Sequence, residues 1–209
     1  MKLFFNSAQK QLSDSDGKRF SPASRTWAAA EKGVATGVEI SLKEAVIWLQ
    51  TDSGFPCRIP VAVIGGRKAD LAQLEMAEKI GADLAQMGLT LICGGRQGIM
   101  EAACMGANSK GGISVGILPD ADPAKANPYV TVPIATGIGI ARNAIIARSA
   151  LCLIAIGGGF GTLSEIAFGL QFGKRVFVLA DGPQIDGAHL CVTVSEAMDG
   201  VAHAVLALA

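Results

Sequence analysis

Residues 156–162 read I-G-G-G-F-G-T, with Gly157, Gly158, Gly159 and Gly161 filling four of five consecutive positions. An apolar run, L-C-L-I-A-I over 151–156, precedes them, and an amphipathic stretch over 163–172 follows. The order is strand, glycine turn, helix. Glycines at such a point let the backbone approach a ligand closely and aim several N–H groups at one place. The positive end of the following helix adds to that field. The turn suits a phosphate or a similar anion. A plain strand-to-helix connection needs one or two glycines, not four.

The same rhythm runs through most of the chain. A strand is expected over 61–64, ending in Gly65-Gly66. A helix follows over 71–87, with Leu74, Ala77, Ile80, Ala82 and Leu84 at roughly 3.6-residue spacing and Gly88 closing it. A second strand over 89–93 ends in Gly94-Gly95-Arg96-Gln97-Gly98, and a helix covers 99–109. A strand over 113–118 stops at Pro119, and a polar loop spans 120–128. The remaining expectations are a short strand over 129–134, a helix over 138–149, a strand over 151–156 and a helix over 162–172. A strand over 175–179 and a closing helix over 195–208 complete the series. Continuous apolar strands of this kind belong to sheets covered on both faces. The fold class is therefore α/β: an open, doubly wound, Rossmann-like parallel sheet with helices on both faces. Ligands of such sheets bind outside the carboxyl ends of the strands. The glycine clusters at 65–66, 94–98 and 157–161 all follow strand ends, so they should converge on one rim.

Residues 1–55 lack this rhythm and form a small N-terminal appendage before a body over 56–209. Within it, Asp14-Ser15-Asp16-Gly17 is a turn signal between strand-like segments 2–5 and 18–20, which suggests a hairpin. Ser41-Leu42-Lys43-Glu44 is a capping box that opens a helix over 42–50, and 51–60 reads as a linker. Nothing in the appendage suggests catalysis; packing or a dimer contact is the reading.

Composition narrows the function classes. Half of the 209 residues are apolar and 17% are charged, as in globular proteins. Lys plus Arg equals Asp plus Glu, at 18 each. This balance gives no general drive toward nucleic acid or a membrane surface. Residues 1–10 carry too short an apolar run for a signal peptide, and no stretch of membrane-spanning length is present. Cys57, Cys93, Cys104, Cys152 and Cys191 are scattered, which reads as buried thiols in a reducing cytoplasm. His189 and His203 lack metal-ligand spacing, so no metal is expected. No glycine cluster spells G-x-G-x-x-G, and no acidic residue closes the strand at Cys93. NAD and FAD are accordingly not expected.

Two segments together, G-G-R-Q-G-I-M-E over 94–101 and G-G-G-F-G-T-L-S-E over 157–165, resemble the paired signatures of the Lonely Guy superfamily. Its enzymes are phosphoribohydrolases that cut the N-glycosidic bond of cytokinin riboside monophosphates or similar purine nucleotides. The resemblance covers about 60–179. It implies an Arg–Glu catalytic pair, and Arg142 stands 23 residues before Glu165, as in those enzymes. The carboxylate would stabilise charge developing on the ribose or orient water, and the arginine would grip a phosphate or a ribose hydroxyl. The enzyme motif departs at three places: its Pro is Gly157, the Lys after its Arg is Asn143, and the usual Met-His pair before it is Gly139-Ile140. The segments A-R-N over 141–143, I-G-G-G-F-G-T-L-S-E-I-A over 156–167 and F-G-K over 172–174 are more similar to molybdenum cofactor carrier proteins. That subgroup implies molybdenum cofactor (molybdopterin) as cargo, without chemistry on it.

On residues alone, Glu165 has two readings. It is either a ligand group or the third residue of a capping box begun by Thr162. Arg142 is either a ligand arginine or a surface arginine on a helix. The candidate ligand set is Gly65, Gly66, Gly94, Gly95, Arg96, Gly98, Met100, Glu101, Arg142, Asn143, Gly157, Gly158, Gly159, Phe160, Gly161 and Thr162. Arg142 and Glu165 would be catalytic if the protein is an enzyme. The expected partner is a phosphorylated small molecule. The expected assembly is a homodimer or tetramer, because residues 138–150 are apolar on more than one helical face.

Overall fold

The computed structural model describes residues 1–29 and 37–208. They divide into two compact units, one formed by Met1–Cys57 with Val201–Ala209 and the other by Arg58–Gly200. Residues 201–209, expected with the body, belong to the first unit.

In the first unit, β1 (Leu3–Asn6), β2 (Gln11–Asp14), β3 (Arg19–Ser21), β4 (Thr26–Ala28) and β5 (Val38–Ile40) form an antiparallel sheet in the order β4-β3-β2-β1-β5. The turn at Gly17 is present, and Asp14 Oδ1 closes it by accepting the N–H groups of Asp16 and Lys18. It joins β2 to β3, however, and β1 pairs with β2 and β5 rather than across that turn. Helix α1 (Leu42–Thr51) starts at the expected capping box: Ser41 Oγ accepts the Glu44 N–H, and Glu44 accepts the Ser41 N–H. Its face of Ala45, Val46, Trp48 and Leu49 is buried, and the Trp48 and Phe5 rings lie 5.1 Å apart.

The second unit is the doubly wound sheet. It contains β6 (Val61–Gly65), α2 (Leu71–Gln86), β7 (Leu91–Cys93), α3 (Ile99–Ser109), β8 (Ser114–Leu118) and β9 (Val132–Ala135). Then come α4 (Arg142–Ser149), β10 (Cys152–Ile156), α5 (Phe160–Gln171), β11 (Arg175–Leu179), β12 (His189–Leu190) and α6 (Val194–Val205), the last running on into the first unit. The strand order is β12-β11-β10-β6-β7-β8-β9, and every pairing is parallel. After β6 the chain builds outward through β7 to β9, then returns to lay β10 on the other side of β6. The switch point therefore falls between β6 and β10, where Gly65 pairs with Ile156.

Both sheet faces are covered. Ala62 and Ile64 join a core with Ile146 and Ala147 of α4 and Ile166 of α5. Val61 and Val63 point the other way along the pleat and are equally buried. Helices α2 and α3 pack on each other and on β6 and β7. No described helix is long and apolar enough to cross a membrane.

Two element boundaries differ from expectation where they bear on the site. The helix expected over 138–149 is a 3-10 turn, Gly139–Ala141, followed by α4. Helix α5 starts at Phe160 rather than Thr162, with Gly159 as its N-cap. The two-residue strand β12 carries too little pattern to be read from sequence.

Candidate anion-binding cleft

The three glycine turns meet at the carboxyl ends of β6, β7 and β10. The Ile99 N–H donates to the Gly66 carbonyl at 3.2 Å, tying the first turn to the second. A Cβ built on Gly66 would lie 3.6 Å from Gly158 Cα, so the first and third turns are in contact. Between them opens a cleft of about 230 Å³. Gly65, Gly66, Gly94, Met100, Arg142, Asn143, Gly159, Gly161, Thr162 and Glu165 line it, all expected from the sequence. Ile64, Arg67 and Ile140 line it as well and were missed. Arg67 directly follows the first glycine pair, and that position was the available signal for it.

Two glycines are required for particular reasons. Gly158 has φ +104°, and a side chain there would collide with Thr162. Gly94 has an ordinary φ, but a Cβ would meet the Arg142 guanidinium at 2.3 Å. The absence of a side chain at 94 is what makes room for the arginine. Gly95 and Gly98 (φ +67° and +73°) shape the second turn, and Gly157 shapes the third, without lining the cleft.

The third turn delivers an uncapped helix. The first intrahelical bond of α5 runs from the Leu163 N–H to the Gly159 carbonyl at 2.9 Å, and no side chain caps the end. The amides of Phe160, Gly161 and Thr162 precede that bond, at the positive end of the helix. Thr162 and Glu165 thus sit inside α5. The capping-box reading of Thr162–Glu165 fails because the helix begins two residues earlier.

Glu165 instead faces Arg142. Arg142 Nη1 donates to Glu165 Oε1 at 3.3 Å, and both residues are buried, at 9% and 5% exposure. The surface-arginine reading of Arg142 fails for the same reason: α4 turns Arg142, Asn143, Ile146 and Ala147 inward. Burial raises the Glu165 carboxyl to about 7 despite the opposing charge of Arg142. Burial also lowers the Arg142 pKa; Glu165 opposes that fall, and the like charges of Arg67 and Arg96 reinforce it. Three guanidinium groups therefore share one electrostatic neighbourhood. Arg142 Nε is buried without a hydrogen-bond partner.

Asn143 holds the third turn in place. Its Nδ2 donates to Ser164 Oγ at 2.9 Å and to the Gly161 carbonyl at 3.3 Å. The remaining sequence candidates lie elsewhere. Arg96 pairs with Asp120 and its carbonyl accepts from Asn127 Nδ2 at 3.0 Å, which ties the polar loop to the second turn. Glu101 lines a neighbouring groove between α2 and α3, which shares Arg67 with the cleft. Phe160 is 91% exposed and is absent from the cleft wall.

A doubly wound parallel sheet with a glycine-lined cleft at its switch point is a Rossmann-like domain. Residues 58–204 match the SLOG cluster4 family, and the chain belongs to that family. An uncharacterised protein of Archaeoglobus fulgidus is 42% identical over 139 residues, 66% of this chain and 91% of that one. Among solved structures, the molybdenum cofactor binding protein of Rippkaea orientalis is 31% identical with a TM-score of 0.66, over 69% of this chain and 96% of its own. The Moco carrier protein of Chlamydomonas reinhardtii is 34% identical with a TM-score of 0.65, over 72% of this chain and all of its own.

Proposed function

We propose that the protein binds a phosphate-bearing small molecule in this cleft, and that its cargo is the molybdenum cofactor. The observation that carries the binding reading is the uncapped start of α5, aimed into a cleft that also holds Arg67 and Arg142. The choice of cargo is supported by the similarity to the Rippkaea and Chlamydomonas proteins. Asn143 supports it too: where the hydrolase motif has a lysine, this side chain is committed to holding the third turn. The α5 amides and the arginines would hold the phosphate, and the rest of the cofactor would lie along the cleft. Nucleic acid and membranes have no part in this reading, and the cytoplasm is its setting. We also propose a homodimer or tetramer, supported by exposed Ile138, Ile140 and Ile145, which are 49%, 85% and 40% accessible.

The test is the ligand itself. Protein purified from cells that make the cofactor should release a pterin, detected by mass spectrometry and by the fluorescence of its oxidised form. Gly159 has open space around its Cβ position and an ordinary φ, so Gly159→Asp should fold normally while placing a carboxylate against the anion site. That variant should come out free of pterin. Pterin retained by folded Gly159→Asp would refute the proposed site.

One observation favours a second reading. A buried carboxyl raised to about 7, opposite an arginine, is poised for acid–base work near neutrality. It could stabilise positive charge on a ribose while a water attacks the anomeric carbon. Adenine released from AMP, or isopentenyladenine from its riboside monophosphate, would establish hydrolysis, provided Glu165→Gln abolished it. Under the carrier reading neither base appears. Glu165→Gln then binds phosphate-bearing cargo at least as tightly, because Arg142 loses its competing anion.

A further inference from the structure

Cys93 ends β7 and Cys104 lies on α3, both fully buried. Their sulfurs are 3.5 Å apart, and Cys93 Sγ also accepts the Gly95 N–H at 3.3 Å. The segment between them is the second glycine turn, including Gly94 and Met100 of the cleft wall. We propose that Cys93 and Cys104 are a reversible redox pair whose disulfide staples this turn.

The geometry needs little change. A disulfide requires about 2.05 Å between sulfurs, so they must close by roughly 1.5 Å. The two thiols also differ in character. The hydrogen bond the two sulfurs share raises the Cys93 pKa, with burial adding to the rise. The same hydrogen bond lowers that of Cys104 against the effect of burial, and Ser114 and Asn127 lower it further.

The oxidant is a hydroperoxide. One of the two sulfurs, as its thiolate, attacks one oxygen of hydrogen peroxide, the O–O bond breaks, and the departing hydroxide takes up a proton to leave as water. The other sulfur, 3.5 Å away, then attacks the resulting sulfenic sulfur, whose hydroxyl leaves as a second water. In total two thiol hydrogens and two electrons pass to the peroxide and one S–S bond forms. The other cysteines have different surroundings: Cys57 Sγ accepts from Arg25 Nη1 at 2.8 Å, and the Cys191 thiol faces the His189 carbonyl at 3.8 Å.

The experiment treats the full reduced chain with hydrogen peroxide, alkylates the remaining thiols and maps the products by mass. The expected result is a loss of about 2 Da, a peptide linking Cys93 to Cys104, and reversal by dithiothreitol. Amide hydrogen exchange over 94–100 should slow in the linked form. Cys93→Ala and Cys104→Ala should each abolish the loss, with Cys104→Ser standing in if the alanine variant does not fold. Both thiols remaining alkylatable, oxidation of either to sulfinic acid without a link, or a link to Cys57, Cys152 or Cys191 would overturn the pair. Unchanged exchange over 94–100 in the linked protein would overturn the staple.

Discussion

Glu165 concentrates the chemistry of the cleft into one ionisation. Its carboxyl rises from 4.5 to about 7 on folding because burial disfavours the charged form more than Arg142 favours it. Between those two values the folded state holds more protons than the unfolded state. Stability must then fall as pH rises through that window, and the penalty is complete above 7, on the order of 3 kcal/mol. Glu165→Gln removes the titrating group, so its melting temperature should stay flat where that of the wild type declines between pH 5 and 8. Parallel profiles for the two proteins would show that Glu165 is ionised throughout. The spacing of Arg142 and Glu165 was legible in the sequence, and the family resemblance implied that they pair, but the residues alone left Glu165 open between a ligand group and a helix cap. What they do to each other was not, because burial of a carboxyl depends on where α5 begins. Gly159-Phe160 looks like loop continuation but is already the helix start. Arg67 was hidden for another reason: an arginine after a glycine pair has no periodic pattern to mark it.

At the level of elements, the sequence was read best where apolar runs end in glycine. Helix α3 and strand β11 fall where expected, because Gly98 and Gly173 punctuate strong apolar patterns. The head was read worst. Its strands are three or four residues long, with mixed burial, and alternation over so few positions does not fix a partner. The turn and the α1 cap were visible, but the pairing of β1 with β5 is a long-range choice. The approach to α4 carries a further expectation. Ile140 is 85% exposed, yet Ile146 and Ala147 of the same segment are fully buried. One apolar face of the segment is thus satisfied within the chain and the other is open. Light scattering at micromolar protein should give the mass of a dimer or larger assembly, and Ile140→Asp should reduce it. A monomeric wild type would refute the assembly.

At the scale of the whole molecule, both tryptophans, Trp27 and Trp48, lie in the first unit, so tryptophan fluorescence, excited selectively at 295 nm, reports that unit alone. Trp27 Nε1 donates to the Leu206 carbonyl at 2.7 Å, and Val201, Ala202, Val205 and Leu206 are buried. Removing 201–209 should therefore shift the fluorescence-detected urea midpoint to lower denaturant. The unfolding of residues 58–200 should be read separately, by hydrogen exchange of β6 and β10. A fluorescence midpoint unaffected by the truncation would show that the first unit needs no closing segment. The dependence also has a consequence in time. Met1–Cys57 leave the ribosome first, but the segment that completes their unit is made only after all of 58–200 has been translated. At roughly 15 residues per second that interval is on the order of 10 s. The sheet and its cleft can form in that interval, while the Trp27 indole N–H waits for the Leu206 carbonyl that will accept it.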